Sequence, residues 1–311
     1  ANVVYDPGTI DVDGDAPDLV SVAATDGAYG VGDVLTITVT WDEAVVTSDG
    51  TLALDNGDTA SYSSGSGTTA IVFTTTIAED DTTSTDLSVS SYGGTIADAA
   101  GGAAGAASGD LGAVTVDGDA PDFSSVAATD GAYGVGDLLT ITVTWDEAVV
   151  TSDGTLALDN GDTASYSSGS GTTAIVFTTT IAEDDTTSTD LSVSSYGGTI
   201  ADAAGGAAGA ASGDLGAVTV DGDAPDFSSV SASDSSYGVG ETITITVTWD
   251  EAVVVSGTPT LTLSNDDTAS YTSGTGSTDL IFSTTVAEGD DSSTDLSVSS
   301  FSGTIADAAG G

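Results

Sequence analysis

The chain is 311 residues long and carries 49 acidic residues but no Lys, Arg or His, for a formal net charge of −49. With nothing to neutralise phosphates, nucleic-acid binding and a basic membrane-surface patch are excluded, and with neither histidine nor cysteine so are zinc chemistry, thiol nucleophiles and disulfides. The carboxylates repel one another unless cations screen them, either as general salt or as bound divalent ions.

Residues 1–12, ANVVYDPGTIDV, run into the hexapeptide DGDAPD at Asp13, which returns at Asp117 and Asp221. Each copy follows a short strand-like run: residues 9–12, 113–116 and 217–220. The repeats therefore span 13–116, 117–220 and 221–311, with residues 1–12 as a leading strand and the third repeat without its final one. No hydrophobic run approaches the length of a membrane span, so membrane insertion is not expected.

In the first repeat, residues 19–24 read as a strand and TDGAYGVGD as a Gly- and Asp-rich turn. Residues 34–41 form the strand around which the repeat is built. Leu35, Ile37, Val39 and Trp41 alternate with Thr36, Thr38 and Thr40, which puts the large apolar groups on one face. The stretch recurs from Leu139 and Ile243, and the only tryptophans, Trp41, Trp145 and Trp249, are spaced by 104 residues. Further strands are expected at 51–54, 60–63, 70–77, 86–91 and 113–116, with Asn56-Gly57 as a hairpin turn. DAAGGAAGAA reads as a loop, its glycines opposing a helix beyond one turn.

Seven short strands in about a hundred residues, with regular turns, predict an all-β fold: a tandem array of three Ig-like β-sandwich modules, end to end. Trp41, Tyr62, Phe73, Leu87, Val89 and Ile96 are the expected core. The tryptophans lie on the apolar face and read as core; the loop tyrosines Tyr29, Tyr133 and Tyr237 read as sugar contacts or plugs at a module end.

The pattern YGVGD, ITVTWDEAV, GTLALDNGDTASYSSGSG, IVFTTTIAEDD and GTIADAAG, closed by VDGDAPD, resembles the bacterial SWM-type Ig-like (cadherin-like) repeats of large cell-surface proteins, over all three repeats and in order. The resemblance implies an Ig-like fold and a role as a spacer. The absence of every basic residue departs from that pattern.

If the strands alternate in direction, one pole of each module collects the linker, the acids after the tryptophan and the loop near Asp98. The candidate ligands are Asp13, Asp15, Asp18, Asp42, Glu43 and Asp98 in the first repeat. Their counterparts are Asp117, Asp119, Asp122, Asp146, Glu147 and Asp202 in the second, and Asp221, Asp223, Asp226, Asp250, Glu251 and Asp307 in the third. Ca2+ is the expected ion, being hard, oxygen-seeking and tolerant of irregular ligand sets. The alternative is that these aspartates are turn formers facing solvent, and for Asp55, Asp58 and the acids at 79–81 that reading is preferred.

A sandwich without its last strand exposes an edge and an apolar slot. Residues 3–12 of a second copy are the expected filler, which would make a head-to-tail homopolymer; the alternative is a window on a longer array. The expectation is an extracellular structural protein, a calcium-stiffened rod forming a surface filament or an adhesin shaft, and not an enzyme. Competing readings are a carbohydrate- or surface-binding adhesin, with exposed aromatics in one module, and a carboxylate hydrolase, with a unique acid pair. Glycans remain open as partners through Ser and Thr, although no Asn-x-Ser/Thr sequon exists.

Overall fold

A computed structural model describes residues 13–233 and 236–310; the leading segment 1–12, expected to act as a donor strand, lies outside the described residues. All regular structure among the described residues is β. The first repeat contains β1 (Leu19–Ala24), β2 (Gly27–Tyr29), β3 (Val34–Val45), β4 (Thr51–Leu54), β5 (Thr59–Ser64), β6 (Thr68–Thr76), β7 (Ser88–Gly93), β8 (Gly109–Asp110) and β9 (Val114–Val116).

Seven of these form one sheet in the order β1-β3-β6-β5-β4-β7-β8, and β2 pairs with β9 apart from it. β3 pairs with β1 on one edge and β6 on the other, and its alternation supplies a continuous apolar face. Leu35, Ile37, Val39 and Trp41 are at most 1% exposed, and Ile37 and Val39 stand opposite Phe73 and Ile71 of β6. Five of the six expected core residues, Trp41, Phe73, Leu87, Val89 and Ile96, are buried. Tyr62 is half-buried and meets Phe73 edge-on, with ring centroids 6.4 Å apart.

Two features differ from the simple antiparallel expectation. The loop 25–33 contains β2, and β9 pairs with it in parallel, Gly27 opposite Val114 and Tyr29 opposite Val116. Val114 and Val116 must turn inward, where they are at most 2% exposed, and β2 offers the free backbone edge at that position. The place beside β7 goes instead to β8, with Ser88 opposite Asp110 and Val89 opposite Gly109. The alanine- and glycine-rich segment forms no helix; a tight turn at 98–102 opens it and Ala107 is buried.

The second repeat reproduces the strand order, with its own buried cluster from Leu139 to Val220. In the third, one strand, Thr242–Leu263, spans the counterparts of both β3 and β4, and its buried cluster is smaller. Trp145 is 1% exposed, whereas Trp249 is only partly buried and Phe227 is 58% exposed.

Candidate metal centres

The acids after the tryptophan separate by strand parity. β3 continues without a break to Val45, so Glu43 falls on the inward side with Trp41 and Val45, while Asp42 is exposed on the other side. Asp42 Oδ1 accepts the N–H of Asp18 at 2.8 Å, and the Asp42 N–H donates to the Asp18 carbonyl at 3.1 Å. Asp146 with Asp122 and Asp250 with Asp226 repeat this clasp. These six residues tie the linker to the tryptophan strand.

Glu43, Asp13 of the linker and Asp98 of the loop after β7 each bring a carboxylate oxygen within 4.8 Å of the other two. The same holds for Asp117, Glu147 and Asp202, and for Asp221, Glu251 and Asp307. Asp15, Asp119 and Asp223 lie outside these trios. Each donates its N–H to the linker aspartate two residues earlier, at 3.2, 3.4 and 3.4 Å, which shapes the turn presenting that aspartate.

Asp98 and Asp202 are 4% and 5% exposed. Oδ1 of Asp202 accepts three backbone N–H groups, from Ala204, Gly205 and Gly206, at 2.6, 2.7 and 3.1 Å. Oδ1 of Asp98 accepts those of Gly101 and Gly102, at 2.6 and 2.9 Å. These bonds fix the side chain, whose carboxylate belongs to the trio. Oδ2 of both residues is buried with no hydrogen-bond partner, as is Oε1 of Glu147. Buried carboxylate oxygens left this way are costly, and this chain has no cationic side chain to offset the charge.

Glu147 registers the strain: burial, then the charges of Asp117, Asp202, Asp146 and Asp119, push its pKa up from 4.5 to about 7. Glu43 is also raised, by burial and then by Asp13, Asp98, Asp42 and Asp15. Glu251 is raised by burial and then by Asp307, Asp221, Asp250 and Asp223. A trio of hard oxygen donors with converging charge fits an oxygen-coordinated divalent cation.

The second and third trios lie at contacts between successive repeats. Asp117 N–H donates to the Tyr29 carbonyl at 2.9 Å, and its Oδ1 accepts from Thr83 Oγ1 at 3.4 Å. Asp80 N–H reaches the Gly118 carbonyl at 2.9 Å, and Glu79 accepts the N–H of Ala120 at 3.3 Å. Glu79, which reads as surface in the sequence, therefore anchors the linker; its position at the pole facing that linker was the available signal. The loop of Asp202 packs on Gly30, where a Cβ would stand 2.7 Å from Gly206 N and 2.9 Å from the Ala204 backbone. Tyr133, Asp221, Thr187, Asp184, Gly222, Glu183 and Ala224 make the corresponding bonds at the next contact.

Tyr29 and Tyr133 are half-buried, each donating its hydroxyl to a backbone carbonyl four residues earlier at 2.9 Å, and both pack on the core. They plug the end of their repeats.

No family model and no curated protein matches the chain. Among solved structures it is similar to FdeC, an Escherichia coli adhesin, at 19% identity, covering 89% of this chain and 90% of that one with a TM-score of 0.33. It is also similar to a marsupial T cell receptor at 9% identity, covering 93% and 99%, with a TM-score of 0.34. Likeness of this extent speaks to neither function nor partner. No helix among the described residues is long and apolar enough to cross a membrane.

Proposed function

We propose that the chain is an extracellular structural protein, a rod of three Ig-like sandwiches whose joints are stiffened by Ca2+, serving as the shaft of a surface filament or of a large adhesin. The observation that carries this reading is the unpartnered, buried Oδ2 of Asp98 and Asp202, on carboxylates that each share a trio with a glutamate and a linker aspartate in a chain without cationic side chains. Asp117, Glu147 and Asp202 would hold the ion at the first joint, and Asp221, Glu251 and Asp307 at the second. Bound Ca2+ supplies positive charge and takes six to eight oxygens, so carbonyls or water would complete the set.

The stiffening follows from the linker aspartate. Asp117 belongs to the trio of one repeat while its backbone and side chain bond to Tyr29 and Thr83 of the repeat before. Fixing its carboxylate fixes the angle between the two.

Thermal melting at constant high NaCl tests the reading. With a dissociation constant of about 10⁻⁴ to 10⁻³ M, typical of extracellular modules, about 10 mM Ca2+ stabilises by roughly 1.4 to 2.7 kcal/mol per site. That corresponds to a rise of about 6 to 20 °C over EDTA for a repeat of this size. Mg2+ should give a smaller rise at equal concentration. A melting temperature indifferent to EDTA would leave general charge screening as the only cation effect and defeat the proposal.

A further inference from the structure

Asp98 and Asp202 are each followed, three and four residues on, by a pair of glycines, Gly101-Gly102 and Gly205-Gly206. The first of each pair has φ +101 or +108, in the left-handed region that favours glycine. The second, Gly102 or Gly206, is not among the residues of positive φ, so the turn gives no conformational reason for glycine there. The constraint is space. A Cβ on Gly206 would stand 2.4 Å from Oδ2 of Asp202 and 3.5 Å from Ala120 Cα in the linker. On Gly102 it would stand 2.3 Å from Oδ2 of Asp98 and 3.2 Å from the Asp15 carbonyl oxygen. Gly209, further along the same segment, marks the contrast, because a Cβ there would meet nothing closer than 3.6 Å.

The oxygen concerned is in both cases the buried one without a hydrogen bond. Asp202 is 5% exposed, and its Oδ1 accepts the N–H groups of Ala204, Gly205 and Gly206. The carboxylate therefore cannot swing away from a methyl at 206 without giving up these bonds, one of which comes from residue 206 itself. The linker is held as well, since Ala120 N–H donates to Glu79 and Asp122 N–H to Asp146. Gly206 thus leaves unfilled a space bordered by the free oxygen and by the linker that carries Asp117. Ca2+ takes its oxygens at about 2.3 to 2.6 Å. A methyl carbon 2.4 Å from Oδ2 would be as close to that oxygen as the ion itself.

We infer that Gly102 and Gly206 are positioning residues for the cation in the first two repeats: the N–H of each holds Oδ1 of the aspartate, while its bare Cα keeps the buried Oδ2 open to a divalent ion. One residue both orients the carboxylate and clears its free oxygen. The inference rests on the Ca2+ reading and deepens it. An aspartate followed four residues later by glycine, and not the three acids alone, specifies the site. A larger residue in place of that glycine would close off Oδ2 while leaving every acid of the trio in the chain.

Calorimetric titration with Ca2+ at constant high NaCl tests this, with folding checked in EDTA by circular dichroism. Gly206→Ala should take up about one ion fewer per chain than the parent, and Gly102→Ala should do the same in the other repeat. The double variant should lose both ions. Gly209→Ala, whose methyl has room, should bind as the parent does. If Gly206→Ala does not fold, Gly102→Ala decides the matter by the same count. A parent that takes up no Ca2+ would overturn the cation reading and this inference with it. A parent that binds, beside folded Gly206→Ala and Gly102→Ala chains that bind as many ions, would overturn the positioning role alone. An equal loss in Gly209→Ala would assign the effect to any methyl in the segment and overturn it too.

Discussion

Asp202 divides its carboxylate between two tasks. Oδ1 is held by three backbone N–H groups, while Oδ2 stays buried without a hydrogen bond in a carboxylate grouped with those of Glu147 and Asp117. Asp202→Asn keeps an amide-accepting oxygen and replaces the other with a donor, which removes one repelling charge. In EDTA this variant should melt several degrees above the parent, and in Ca2+ several degrees below it; scanning calorimetry in both conditions reads the crossing. The pH response has a definite sign. Glu147 has a folded pKa of about 7 against 4.5 when unfolded, so its favourable contribution is complete below pH 4.5 and is lost as the pH rises through 7. In EDTA the melting temperature should therefore fall between pH 5 and pH 7.5, and saturating Ca2+, which needs ionised ligands, should reverse that trend. A flat profile in EDTA would show that the acids do not crowd one another. How much of this is visible in the sequence depends on the residue. Asp13, Glu43 and Asp98 can be gathered at one pole from strand direction alone. Separating Glu43 from Asp42 requires knowing that the alternation of β3 persists past the tryptophan to Val45, and two acids in succession carry no mark of that.

At the scale of elements, β1 and β4 are legible to the residue, because period-two alternation and glycine punctuation are local signals. The parallel pairing of β2 with β9 and the two-residue β8 are not, since a partner chosen across the fold leaves no local trace. The same limit hides the reach of the Asp202 loop onto Gly30. There the neighbours are backbone atoms that cannot rotate away, so Gly30→Ala must displace the loop and the contact between repeats. Gly30→Ala should lower the Ca2+-dependent rise in melting temperature by at least half while leaving the melting temperature in EDTA within a few degrees. An equal loss in both conditions would mean that Gly30 matters to its own repeat alone.

For the whole molecule the governing fact is a net charge of −49 with no opposing side chain. Exposed carboxylates are screened over about 8 to 10 Å at moderate ionic strength, so NaCl should raise stability smoothly for all repeats. A divalent cation at the junctions acts differently, by saturating. In X-ray scattering at fixed high NaCl, Ca2+ should narrow the distribution of chain extensions and EDTA should broaden it. A distribution unchanged by EDTA would locate the stiffness in the hydrogen bonds from Tyr29, Asp80 and Glu79 to the linker instead.

The parallel pairing of β2 and β9 has a tensile meaning. The chain passes through β1, which is anchored on β3, before it reaches β2, and leaves the repeat directly after β9, so a pull on the two ends, once transmitted through β1, drags β2 and β9 in opposite senses along their common axis. Their three residue pairs are then sheared together and cannot be unzipped one at a time. Each complete repeat thus closes its exit to the next linker with a short pairing loaded in shear.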